Sequence, residues 1–62
     1  MKTHVKMTED WSPLPHHPRE GDVLKIIDCD YDDDGYIYGY KTTCSAGVEY
    51  FVFPDECEEV DA

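Results

Sequence analysis

The chain has 62 residues, with fifteen Asp and Glu against five Lys and Arg, for a formal net charge of −10. That length allows one domain. The charge disfavours direct binding to DNA, RNA or an anionic membrane, each of which requires cations to neutralise phosphate, and favours a basic partner met faster at low salt.

In chain order, residues 2–8 (KTHVKMT) alternate, with Thr3, Val5 and Met7 on one side and His4, Lys6 and Thr8 on the other, which predicts a strand. The segment EDWSPLPHHPRE follows, and its Pro13, Pro15 and Pro18 remove backbone donors and hold the chain extended. It is expected to be a loop tacked onto the body by Trp11 and Leu14. Gly21-Asp22 predicts a turn and Val23–Ile27 a strand rich in β-branched residues, with Leu24 and Ile26 on one face.

The acidic stretch Asp30-Tyr31-Asp32-Asp33-Asp34-Gly35 ends in a dipeptide typical of hairpin turns. The strand Tyr36–Thr43 should place Tyr36, Tyr38 and Tyr40 on one face and Ile37 and Gly39 on the other. Ser45-Ala46-Gly47 reads as a second turn and Val48–Phe53 as a third strand of this hairpin array, stopped by Pro54. Pro54-Asp55-Glu56 suits one 3₁₀ turn, and Cys57–Val60 a last short strand. No window sustains a 3.6-residue period, so the expected class is all-β.

Cys29, Cys44 and Cys57 are an odd set without C-x-x-C spacing, unlike a secreted disulfide scaffold. Met1–Asp10 contains no apolar leader, and no apolar run approaches the ~20 residues of a membrane span. An intracellular, cytoplasmic and reducing location is therefore expected.

The order Gly21-Asp22-Val23-Leu24-Lys25-Ile26, acidic turn Asp30–Gly35, Tyr36-Ile37-Tyr38-Gly39, turn Cys44–Gly47 and Phe53-Pro54-Asp55-Glu56 resembles an SH3-type small barrel over residues 19–60. The resemblance implies a single SH3-like domain across residues 1–62: five strands, with residues 1–18 as N-terminal strand and proline-rich loop and residues 19–60 as barrel core. It also implies a core of Leu24, Ile26, Ile37, Gly39, Phe51 and Phe53, joined by Cys57, Val60 and Val5. Gly39 would sit where only a small residue fits. Tyr36, Tyr38 and Tyr40 would face out, with Tyr50 and Val52 as neighbours.

An SH3 domain that grips proline-rich peptide has an Ala-Leu-Tyr-Asp-Tyr type opening, a Trp at the start of the aromatic strand and a Pro-x-x-Tyr. Here no such opening exists, Tyr36 stands at the Trp position, and Pro54-Asp55-Glu56-Cys57 replaces the last motif. A reader of proline-rich peptides is thus an alternative with two of its three ridges missing or altered.

A second alternative is a calcium-binding hairpin or EF-hand-like loop. Asp30, Asp32 and Asp34, followed by Gly35, match the first, third, fifth and sixth positions of such a loop. Its twelfth position is Lys41 rather than Glu, and its flanks are strand-like. Cys29, Cys44, Cys57, His4, His16 and His17 lack the paired spacing of a zinc site. No nucleophile is paired with a base, and no glycine-rich phosphate cradle occurs. Neither enzyme activity nor a cofactor is expected.

Ten of the fifteen acids fall in Asp28–Asp34 and Asp55–Asp61, a crowding that costs folding energy by self-repulsion. The favoured reading is an acidic protein-interaction module that binds a basic protein. Its most concrete form is a nucleic-acid-mimicking inhibitor of a host DNA- or RNA-binding protein, in which respect the chain resembles small acidic bacteriophage-encoded inhibitors. Asp32, Asp33, Asp34, Asp55, Glu56, Glu58 and Glu59 would supply charge. Tyr36, Tyr38 and Tyr40 would supply desolvated contact.

Overall fold

A computed structural model describes residues 2–62. Five strands, β1 (His4–Met7), β2 (Val23–Tyr31), β3 (Ile37–Thr43), β4 (Glu49–Val52) and β5 (Cys57–Val60), are joined by loops and by one 3₁₀ turn at Pro54–Glu56. They form one antiparallel sheet in the order β4-β3-β2-β1-β5. The all-β, five-stranded expectation holds. The barrel is not closed by strand pairing: the sheet is open, and among the described residues its edge strands β4 and β5 share no ladder. Among those residues, no helix is long and apolar enough to cross a membrane.

β2 organises the sheet because it is long enough to serve two partners. Val23–Lys25 pair with β1, and Lys25–Tyr31 pair with β3. The strand therefore runs four residues beyond the Ile27 limit read from sequence and takes in Asp28–Tyr31. The acidic hairpin itself is short. Asp32 N–H donates to the Tyr36 carbonyl (2.8 Å), and Gly35 N–H to the Asp32 carbonyl (3.1 Å). Gly35 adopts φ +86°, which a residue with a Cβ enters only at a cost.

Two β-bulges set which side chains face inward. Ile26 and Asp28 oppose the consecutive residues Thr42 and Lys41, which leaves Ile27 as an extra residue in β2. Asp30 and Tyr31 oppose Gly39 and Ile37, which leaves Tyr38 as an extra residue in β3. Because strand side chains alternate with a period of two, each inserted residue inverts the pattern beyond it.

The buried cluster accordingly consists of Val5, Met7, Leu24, Tyr40, Tyr50, Val52 and Cys57, with Thr42 among them. Trp11, Ile26, Cys29, Ile37 and Cys44 pack against it, half-buried. Val5, Leu24 and Cys57 match expectation. Tyr40, Tyr50 and Val52, expected outside, lie inside. Phe51 and Phe53, expected inside, lie on the outer face, with Phe51 half-buried and Phe53 exposed. Phe51 rests over Gly39, where a Cβ would meet its ring. Gly39 is thus a place of close approach, on the face opposite the one anticipated.

The proline-rich loop is packed onto the body. Trp11 donates its indole N–H to the Phe51 carbonyl at 3.0 Å and meets Tyr50 edge-on at 5.1 Å. His17, 4.9 Å from Trp11 and bonded through Nδ1 to the Ser12 hydroxyl at 2.6 Å, is the second anchor. Leu14, expected in that role, is exposed. Backbone bonds from Met7 N–H to the Asp22 carbonyl and from Gly21 N–H to the Met7 carbonyl, both 2.8 Å, close the loop at its base.

Candidate functional site

The residues expected to meet a partner divide into two groups: those engaged in holding the fold and those left facing solvent. Asp32 belongs to the first. Its Oδ1 accepts the N–H groups of Asp34 and Tyr36, both at 3.0 Å, an Asx-type arrangement that stiffens the hairpin turn. Glu56 turns back across the 3₁₀ turn, and its Oε1 accepts the Phe53 N–H at 3.0 Å. Glu59 accepts the Tyr40 hydroxyl at 2.7 Å and the Lys2 N–H at 3.4 Å. These three carboxylates have local partners.

Asp33, Asp34, Asp55 and Glu58 face solvent, as do Asp28 and Asp30 on β2. Glu58 stands opposite Lys6 in the β1–β5 ladder. Among the described residues one ion pair forms, Lys2–Asp61 at 3.3 Å, and both partners are too exposed for it to contribute much. The carboxylate field is therefore largely unneutralised within the chain.

The three tyrosines do not form one strip. Tyr36 lies at the turn, 73% exposed, and Tyr38 at the bulge, 57% exposed; Tyr40 points into the core, 5% exposed. Burial, then its bond to Glu59, pushes the Tyr40 phenol above its ordinary pKa. Sequence reasoning missed Phe51 and Phe53. With Tyr38 they form an outward aromatic cluster, Tyr38–Phe53 at 5.7 Å and 88°, Phe51–Phe53 at 5.4 Å and 81°, and Tyr38–Phe51 at 6.1 Å between ring centroids. These are edge-to-face and tilted contacts, in which Tyr38 and Phe53 are exposed and Phe51 is half-buried.

The same face carries acid. Asp28 is directly opposite Lys41, and Lys41 opposite Phe51, so the three form one row across β2, β3 and β4. Asp30 is opposite Gly39, beneath the Phe51 ring. Asp55 follows Phe53 by two residues. Carboxylates on β2 thus share rows with the strands that carry the aromatic cluster.

Asp30 is fixed in the β2–β3 ladder and Asp32 in its turn. Among the described residues no group of three His, Cys, Asp or Glu is placed to hold a metal ion. An open groove of about 390 Å³ runs along β2 beyond the reach of β1, lined by Lys2, Thr3, Ile26, Ile27, Cys29 and Tyr31 among others. The Cys29 thiol beside it is pushed above its ordinary pKa by burial, then by Glu59, Asp28 and Asp30; this disfavours the thiolate that a nucleophile needs. Burial and the nearby Glu56, Glu59 and Asp55 raise Cys57 to about 11. The chain matches no protein family, no curated protein and no solved structure.

Proposed function

We propose that the chain is a non-enzymatic interaction module, a divergent SH3-type small β fold that binds a basic surface on a partner protein. The observation that carries this reading is the unneutralised charge: a net −10 with a single exposed ion pair among the described residues. The exposed carboxylates sit on paired strands and tight turns rather than on a loose tail, so their spacing is fixed before a partner arrives. Preorganised negative charge speeds encounter with a cationic surface and disfavours wrong partners. The 3₁₀ turn Pro54–Glu56 and the last strand Cys57–Val60 beside β1 support the SH3-type architecture.

In its most concrete form the module is an inhibitor that occupies the nucleic-acid-binding site of a DNA- or RNA-binding protein. Asp33, Asp34, Asp55 and Glu58 would take the place of backbone phosphates, and no cofactor is required. The test is capture from a cell lysate on immobilised protein, with retained proteins identified by mass spectrometry. A retained nucleic-acid-binding protein, released by added duplex DNA or RNA and by raised salt, is the expected result. Retention indifferent to both, or of no basic protein at all, would overturn the reading.

A further inference from the structure

The outward aromatic cluster supplies none of the charge in the phosphate imitation just described. Three rings lie outside the sheet while Tyr40, Tyr50 and Thr42 lie inside. Building on the basic-partner reading, we infer that the outer face of β3 and β4 is the docking surface, and that Tyr38, Phe51 and Phe53 receive arginine side chains from a basic segment of the partner protein.

Charge selects the occupant. A second copy of this chain would bring −10 against −10, and an anionic membrane would be repelled by the same field. A basic protein segment satisfies both the rings and the carboxylates near them. Tyr38 and Phe53, packed edge-to-face at 88°, are both exposed, and the face of an aromatic ring carries a negative quadrupole that attracts a cation. Asp28 and Asp30, exposed on the neighbouring strand and in the same rows as Lys41 and Gly39, offer carboxylates near the rings, Asp28 with its Oδ1 already accepting the Cys29 N–H at 2.8 Å.

Arginine fits better than lysine. Its planar guanidinium stacks on a ring while donating two parallel bonds to a carboxylate, and it gives up its hydration more readily than a compact ammonium. Lys41, between Asp28 and Phe51, is a cation already standing in that row. It opposes the incoming charge and sets how tightly the surface binds.

The experiment titrates the protein with nona-arginine and nona-lysine peptides in 150 mM salt. Affinity is read by fluorescence anisotropy and location by ring-proton NMR shifts of the unmutated chain. The expected result is tighter binding of nona-arginine, with shifts concentrated at Tyr38, Phe51 and Phe53. Tyr38→Ala and Phe53→Ala should each weaken nona-arginine binding by roughly three- to thirtyfold, and Lys41→Gln should strengthen it. The last variant and the NMR shifts keep the test decisive if an alanine variant folds poorly. Equal binding of both peptides with unshifted rings would overturn this docking surface and leave the basic-partner reading standing. Binding of neither peptide, even at 20 mM salt, would overturn both. Sedimentation showing a dimer abolished by Phe53→Ala would assign the face to self-association instead and overturn the inference.

Discussion

The two faces of the β3–β4 hairpin differ in how their aromatic and hydroxyl side chains are satisfied. The inner face holds Tyr40, Thr42, Tyr50 and Val52, while the outer face holds Tyr38, Phe51 and Phe53. The inner face tolerates hydroxyls because they are bonded. Thr42 Oγ1 donates to the Tyr50 carbonyl at 2.7 Å, Tyr40 donates to Glu59, and among the described residues no buried side-chain polar atom lacks a partner. The outer face pairs its rings with one another and leaves them wet. Burial of a hydroxyl is thus inexpensive where a partner is built in, whereas contiguous exposed aromatic rings mark a surface suited to contact with another molecule.

This contrast can be broken from either side, and the core should give the largest response. Met7 is fully buried, so Met7→Ala should lower stability by about 2–5 kcal/mol in urea unfolding. A change below 0.5 kcal/mol would show that the inner cluster is not the centre of the fold. Tyr40→Phe should cost roughly 2 kcal/mol, the scale of a hydrogen bond to a charged acceptor. Neutrality there would mean that the bond to Glu59 does not hold the inner face.

On the outer face, Phe53→Ser should cost no more than about 1 kcal/mol, since it removes edge-to-face contacts from an exposed ring. A larger loss would make Phe53 a structural residue and erase the difference between the faces. The smallest effect concerns pH. Cys57 rises from an ordinary value near 9 to about 11 in the folded chain, so its contribution is complete below pH 9. Between pH 9 and 11 the unfolded thiol ionises before the folded one, and stability falls as pH rises. Tyr40, also raised, adds a loss of the same sign above pH 10. Melting temperatures across this window should decline, and Cys57→Ala should flatten part of the slope.

The turns were legible in the sequence because their requirements are local. Asp34-Gly35 and Ser45-Ala46-Gly47 lie in turns, and Gly35 and Gly47 both take positive φ. Strand positions followed from alternation and from Pro54. The faces were not legible beyond Ile27 and Tyr38, because a bulge depends on how two strands pair and leaves no mark in either one alone. One inserted residue turned Tyr40 inward and Phe51 outward. Asp30 and Tyr31 read as the start of the acidic turn, yet the backbone of Asp28–Tyr31 pairs with β3 and the carboxylates of Asp28 and Asp30 remain solvent-facing. Within the candidate site, the exposure of Asp33, Asp34, Asp55, Glu58, Tyr36 and Tyr38 followed from composition. The engagements of Asp32, Glu56 and Glu59 depend on turn geometry and, for Glu59, on the packing of β5 near Tyr40.

The bond from the Trp11 indole to the Phe51 carbonyl reaches β4 from outside the sheet. An open edge invites stacking of further copies, strand upon strand, into fibrils. By occupying an acceptor on that margin with a side chain from its own loop, the chain denies neighbours a place to begin. The proline-rich segment thereby acts as a guard on the sheet's growth as well as a covering for its core.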